Sequence, residues 1–198
     1  MQEYIDNNFK IRLFPNFLNH SDTQSLHEYI IANAKFHHSH FTKKGVLSKR
    51  RNKVIYGSIP HYLINYRGQE IRTEVYNWDE MPIIKNIANA LKLATGQEYH
   101  VCVIQFYNNG EVGIGKHRDK EMKPGTIITS LSIGETRTMR FEEITNTNPP
   151  KIIDIPLTNG TLCLIDPPTN DFWLHSIPKD TTIGPRISLI FRNCDGMC

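Results

Sequence analysis

A chain of 198 residues, 39% of them hydrophobic and 22% charged, is long enough to bury one core and too apolar to stay disordered. No run approaches the roughly 20 consecutive apolar residues that cross a bilayer, and residues 1–14 lack the basic-then-apolar pattern of a secretory leader. The reading is therefore of a single soluble, intracellular domain spanning 1–198, with no membrane partner. The net charge of +3 is modest, but Lys43, Lys44, Lys49, Arg50, Arg51 and Lys53 crowd into eleven positions and leave the remainder of the chain net acidic. Such a basic island suits contact with phosphates; the plainer alternative is a solvated surface loop.

In chain order, the first helix is expected to begin near Ser21, where Ser21 and Gln24 form a capping box and Leu26, Tyr29, Ile30 and Phe36 give an apolar stripe. The segment 37–80 is basic, aromatic and irregular, and reads as loops or hairpins overlying the mouth of a barrel. A second helix is expected from Pro82 to Thr95. Pro82 suits its first position, Ile83, Ile84, Ile87, Leu91 and Ala94 line one face, and Gly96 suits its end. From about residue 97 to 193 the pattern changes to short strands, at 100–107, 126–133, 137–142, 151–155, 161–165, 172–175 and 186–192, separated by turn signals such as Asn108-Asn109-Gly110 and Asn159-Gly160. That alternation implies a mainly β fold with flanking helices, a β-sandwich or jelly roll with helices that come first in the chain packed on one sheet. Cys102 and Cys163 fall in predicted strands and Cys194 and Cys198 in the last five residues. All four are expected to be reduced thiols, because a chain of this size does not need disulfides and nothing suggests secretion, and no structural zinc is expected at the terminal pair, which has no second Cys or His pair at zinc spacing nearby.

The sharpest chemical feature is Gly115-Lys116-His117-Arg118-Asp119, followed by His175. In extended chain, residues two apart share a side, so His117 and Asp119 aim at one point. His175 can close the set from a distant strand. Two imidazoles and a carboxylate match the facial triad of non-haem iron(II) oxygenases, which leaves coordination positions open. An H-x-D pair alone is weak, however. Surface, core and phosphate-binding roles compete with it, and a catalytic zinc would accept the same ligands.

The second feature is the strand Pro185-Arg186-Ile187-Ser188-Leu189-Ile190-Phe191-Arg192. Arg186, Ser188, Ile190 and Arg192 share one face; Ile187, Leu189 and Phe191 share the other. Two arginines inside a barrel are costly unless an anion pairs with them, and guanidinium binds carboxylate in bidentate fashion. The alternative is an edge strand with both arginines in water.

Taken together, Gln105-x-Tyr107, His117-x-Asp119, His175 and Arg186 with Arg192 five residues apart resemble the AlkB dioxygenases. The local runs at 115–121, 130–134 and 168–178 are most similar to the branch containing the human nuclear, duplex-DNA repair homologue. The resemblance covers about residues 48–193. It implies a double-stranded β-helix holding Fe(II) at His117, Asp119 and His175. Arg186 would meet the distal carboxylate of 2-oxoglutarate, with Arg192 and Tyr107 near its other end. Gln105 stands where the family usually has Asn and keeps the amide with one more methylene. Glu121 matches an acidic position that contacts the damaged base. Tyr66, or Tyr62, would stack on that base from a nucleotide-recognition lid at about 37–80, and Lys49, Arg50 and Arg51 would hold phosphates. Trp78 is read as core.

The activity the resemblance implies is oxidative removal of N-alkyl groups from nucleobases in DNA or RNA. O₂ is co-substrate, and the products are succinate, CO₂ and an aldehyde. Because a base inside a duplex cannot reach a buried metal, the target would be flipped out or single-stranded. No obligate protein partner is evident, and a monomer is expected. The rival readings are a 2-oxoglutarate-dependent hydroxylase of protein or a small substrate, which would share the iron residues, and a non-catalytic jelly-roll binding module.

Overall fold

The architecture was read from a computed structural model, which describes residues 1–36, 52–66, 69–181 and 184–194; within 62–72 only the strand backbone is described. The chain opens with an antiparallel hairpin, β1 (Gln2–Asp6) and β2 (Phe9–Phe14), then helix α1 (His20–Asn33). Strand β3 (Asn52–Gly57), the hairpin β4 (His61–Tyr66) and β5 (Gln69–Glu74), and the short β6 (Tyr76–Asn77) follow. After a single 3₁₀ turn come α2 (Pro82–Thr95), β7 (Val101–Tyr107), β8 (Ile114–His117), β9 (Ile128–Gly134), β10 (Arg137–Glu143), β11 (Ile152–Leu157) and β12 (Leu162–Ile165). The one-turn α3 (Thr169–Phe172), β13 (Trp173–Ile177) and β14 (Arg186–Arg192) complete it.

Among the described residues an eight-stranded sheet in the order β1-β2-β12-β9-β14-β7-β3-β6 faces a four-stranded one in the order β11-β10-β13-β8, and β4-β5 form a separate two-stranded sheet. The core between the first two joins Phe9, Ile11, Tyr107 and Cys163 of the large sheet to Met139, Phe141, Ile155 and Trp173 of the four-stranded one. On the outer face of the large sheet, Leu26 and Ile30 of α1 and Ile84, Ala88 and Leu91 of α2 pack on Ile104, Leu131, Ile187, Leu189 and Phe191. Central strands are thus covered on both faces, which is why β9 is buried at every position from Ile128 to Ile133. Strand alternation sorts β14 as its sequence requires. Ile187, Leu189 and Phe191 meet the helices, and the opposite face turns inward between the sheets.

The mainly β jelly roll with flanking helices and the second helix stand as expected. Pro82 opens α2, and Gly96 closes it in the left-handed region at φ 72°. Three expectations are corrected. The chain begins with a β-hairpin rather than with helices: Phe9, Ile11 and Leu13 alternate inward, and β2 extends the large sheet by pairing with β12. Helix α1 is capped by Asn19, whose Oδ1 accepts the Asp22 N–H at 2.9 Å, and not by a Ser21–Gln24 box. Finally, 52–57 is not loop: β3 pairs with β7 over six residues, inside the large sheet, with Val54 and Tyr56 in its helix-covered core. Trp78 is buried in that same core.

Candidate metal and co-substrate site

The site grows out of the small sheet. Strand β8 ends on His117, and His175 of β13 stands directly opposite it in the antiparallel pair. The two imidazole centroids are 4.3 Å apart. Asp119 lies two residues past the end of β8, in irregular chain, yet the alternation persists. His117 is half-buried, Arg118 exposed and Asp119 buried. Each of His117, Asp119 and His175 offers one ligand atom, and these atoms all lie within 4.8 Å of one another. The carbonyl of Gly115 is 2.9 Å from His117 Nδ1, which fixes the ring and leaves Nε2 to face Asp119 Oδ1 at 3.6 Å. Burial holds the His175 imidazole well below its ordinary pKa, reinforced by His117 and Arg192, so it is neutral, as a metal ligand must be.

On the opposing sheet, Arg186 is fully buried and stands across from Tyr107 in the β14–β7 pair. Its Nη2 donates to Ser132 Oγ at 3.0 Å and, at the limit of bonding, to Ser188 Oγ at 3.5 Å. Its Nε and Nη1 are buried with no hydrogen-bond partner in the protein. No carboxylate is ion-paired with it among the described residues, and burial pulls its pKa down from the usual arginine value. Ser130, Ser132 and Ser188 place short buried hydroxyls on the same interior face as the guanidinium. At the other end of β14, Arg192 reaches Asp119 Oδ2 at 2.8 Å and Glu121 Oε1 at 2.7 Å.

The sequence profile of the 2OG-Fe(II) oxygenase superfamily matches residues 10–192. This chain belongs to that superfamily. It is 32% identical over 120 residues to the human DNA oxidative demethylase ALKBH2, an overlap of 57% of this chain and 46% of that one. To human alpha-ketoglutarate-dependent dioxygenase alkB homolog 3 it is 31% identical over 120 residues, 56% and 42% of the two chains. It therefore spans a little under half the length of these curated relatives. Among solved structures, OsALKBH1 matches with a TM-score of 0.61 at 14% identity, covering 96% of this chain and all of that one. A Trichoplax adhaerens prolyl hydroxylase in complex with a hypoxia-inducible-factor peptide fragment matches at 0.58 and 12%, covering 92% and 83%. Those two likenesses establish the fold.

The superfamily's name calls for Fe(II) and 2-oxoglutarate, and the donor set fits both. Two imidazole nitrogens and one carboxylate suit a divalent iron. A buried guanidinium with two unpartnered nitrogens, Nε and Nη1, suits the distal carboxylate of a dianion. Of the residues singled out from sequence, His117, Asp119 and His175 converge, as do Arg186 and Tyr107. Arg192 and Glu121 pair with each other beside Asp119. Gln105 is buried on β7, and its Nε2 donates to the Asn52 carbonyl at 3.0 Å, so part of its amide holds β3 in register. Tyr62 and Tyr66 lie on the β4–β5 hairpin, with their side chains outside the described residues, as Lys49, Arg50, Arg51 and Cys198 lie outside them altogether. Cys102 and Cys163 are buried free thiols, Cys194 is buried, and burial pushes the Cys163 thiol up to about 12.

Sequence reasoning assigned no role to Asn170, whose amide bonds both ends of the Asp119 backbone, or to Ser132 and Arg137. For Ser132 a signal existed: Ser130-Leu131-Ser132 alternates polar and apolar across a strand that is buried on both faces. Asn170 carried none, because it acts from α3, 51 residues away in sequence.

Proposed function

We propose that this chain is a 2-oxoglutarate-dependent dioxygenase that removes N-alkyl groups from nucleobases, and that residues 1–198 act as one catalytic unit. The observation that carries the co-substrate half of the reading is Arg186: a fully buried cation with unpartnered donors, on the opposite sheet from a three-ligand metal cluster. In this reading His117, Asp119 and His175 hold Fe(II), and Arg186 with Ser132 holds the far carboxylate of 2-oxoglutarate. When bound, the iron and 2-oxoglutarate would supply the oxidising power: O₂ would oxidise 2-oxoglutarate to succinate and CO₂, one oxygen atom going into succinate and the other into the C–H bond of the alkyl group.

The chain's own residues orient and exclude. Arg186 fixes the length axis of the co-substrate from its distal end. Arg192 ion-pairs with both Asp119 and Glu121, which limits the cost of two neighbouring carboxylates beside the metal ligands. Glu121 then remains poised as an acceptor for an exocyclic amino group of a base. No general base is required, because the hydroxylated N-alkyl group breaks down by itself to an aldehyde and the free base nitrogen.

Three features support a nucleic-acid substrate. The first is likeness to a protein named as a DNA oxidative demethylase. The second is the run of cations at 43–53 in the sequence. The third is a cleft of about 230 Å³ beside Asp119, walled by Arg118, Lys120 and Lys123 against Asp171 and Asn170, where phosphate would find positive charge next to the metal. The deciding experiment is anaerobic loading with Fe(II) and 2-oxoglutarate, addition of O₂, and mass spectrometry of oligonucleotides carrying different N-methylated bases. Stoichiometric succinate and aldehyde with loss of the methyl mass is the expected result. Succinate without any change in the oligonucleotides would move the substrate to another class.

A further inference from the structure

A second buried guanidinium shares the interior with Arg186. Arg137 is the first residue of β10 and is 1% exposed. Met139 and Phe141, two and four residues further on, lie in the core between the sheets, so Arg137 occupies that same interior face. Its Nη2 donates to the carbonyls of Gly110, Val112 and Pro178, joining the loops that follow β7 and β13. Its Nη1 is buried without a hydrogen-bond partner. Both cations approach the ring of Tyr107, whose centroid is 5.7 Å from Arg137 Cζ and 5.2 Å from Arg186 Cζ.

We infer that Arg137 is a second cation of the 2-oxoglutarate pocket, a positioning residue that strengthens its preference for a dicarboxylate by acting on the distal carboxylate through Tyr107 and through space. The inference rests on the co-substrate reading above. Three observations lead to it. Neither guanidinium is ion-paired with a carboxylate among the described residues, although Asp180 favours the charge on Arg137 through space. Each has lost its hydration, and the pKa of Arg186 is lowered chiefly by burial, with Tyr107 favouring its charge and Arg137 disfavouring it. A joint between three carbonyls uses one nitrogen only, which leaves the second terminal nitrogen and the charge unaccounted for. An interior that keeps two such cations against one ring holds a positive potential there, and a dianionic ligand relieves it where a monoanion does so only in part.

The test uses the full-length protein with Mn(II), which holds the ligand without turnover. Calorimetric titrations compare 2-oxoglutarate with 2-oxobutanoate, which keeps the chelating end and lacks the distal carboxylate. Arg137→Gln, which retains donors but not charge, is expected to lose about tenfold of the preference for 2-oxoglutarate and to bind 2-oxobutanoate nearly as the wild type does. Arg137→Lys, which retains charge but not the fork, is expected to keep the preference within about threefold while melting earlier. A folded Arg137→Gln protein that melts earlier but keeps the full preference would mean a structural joint only, and the inference would fall. If Arg137→Gln does not fold, Arg137→Lys decides alone, and a folded Lys variant without the preference overturns the charge argument. Arg186→Met separates the two levels: if it too leaves the preference intact, the co-substrate reading itself is at fault.

Discussion

The side-chain amide of Asn170 holds the backbone of Asp119 at both ends: its Nδ2 donates to the Asp119 carbonyl at 2.8 Å and its Oδ1 accepts the Asp119 N–H at 3.0 Å. Asp119 lies beyond the end of β8, where no ladder fixes the chain, so this contact substitutes for a strand partner. Groups that orient metal ligands typically contribute about 10–100-fold to metal affinity. Asn170→Ala is therefore expected to weaken Fe(II) or Mn(II) binding by that order, with the melting temperature of the metal-free protein changed far less. An unchanged affinity would reduce Asn170 to a loop contact.

Asp119 itself is the one anion of the ligand set. Asp119→Ala leaves Arg192 with Glu121 alone and removes the charge that offsets a divalent cation. Tight metal binding is expected to be lost, by more than about 100-fold, together with 2-oxoglutarate decarboxylation. A variant that still turned over 2-oxoglutarate at the wild-type rate would place the metal elsewhere.

Arg186 makes opposite predictions for the empty and the loaded protein. Without ligand it is a buried cation short of partners, and holding an uncompensated charge away from water is costly. Arg186→Met is thus expected to melt at or above the wild-type temperature when empty. With 2-oxoglutarate and metal, the loss of a charge-assisted contact from a buried site costs roughly 2–5 kcal/mol, a 30-fold or greater rise in Kd. The thermal shift on adding 2-oxoglutarate should then largely vanish, as melting curves with and without ligand would reveal.

The contrast between what was legible in the sequence and what was not has a physical basis. His117, Asp119 and Arg186 were readable because alternation along an extended chain assigns faces without knowledge of neighbours. Residue His175 was assigned by order and resemblance, and β-pairing with His117 supplied the reason. The β1–β2 hairpin was missed because two short strands with an Asn7-Asn8 turn have little local signal. They are stabilised by β12 and by Asp166, whose carboxylate binds Arg12 through two hydrogen bonds of 2.6 Å. Strand β3 was hidden by its basic neighbours in sequence, although its own Val54-Ile55-Tyr56 is buried on both faces. Arg137, Ser132 and Asn170 act through partners 25 to 54 residues away, a separation that no local pattern encodes.

Gly160 tests the β11–β12 turn. It sits at φ 72°, and a Cβ there would come 2.2 Å from the Leu18 carbonyl oxygen, which already accepts no rearrangement cheaply because Leu18 N–H donates back to Gly160 O at 3.1 Å. Gly160→Ala combines a strained backbone region with a backbone clash, and should destabilise by roughly 1–3 kcal/mol, read as a lower denaturation midpoint with an unchanged m-value.

The basic run at 43–53 is expected to contribute affinity for nucleic acid rather than sequence choice. Its six cations in eleven residues are too many for base-edge contacts alone, and contacts to phosphate release counterions whatever the bases are. Binding of an oligonucleotide should then fall steeply with salt, with a slope of about −0.9 per phosphate contact on duplex and about −0.7 on single strands. Neutralising Lys49, Arg50 and Arg51 together should flatten that slope and weaken binding by similar factors across sequences. Uncoupled decarboxylation of 2-oxoglutarate should persist in the triple variant, because His117, Asp119, His175 and Arg186 are untouched. Cations at the cleft beside Asp119 give the internal comparison: Lys120→Gln should lower affinity by a smaller step and leave most of the slope, since it removes one charge rather than three. Should the triple variant match the wild type in both slope and affinity, the cluster would be a solvated loop. Nucleic-acid binding would then rest on Arg118, Lys120 and Lys123 and on likeness to the DNA demethylase, and a protein or small-molecule substrate would become the stronger reading.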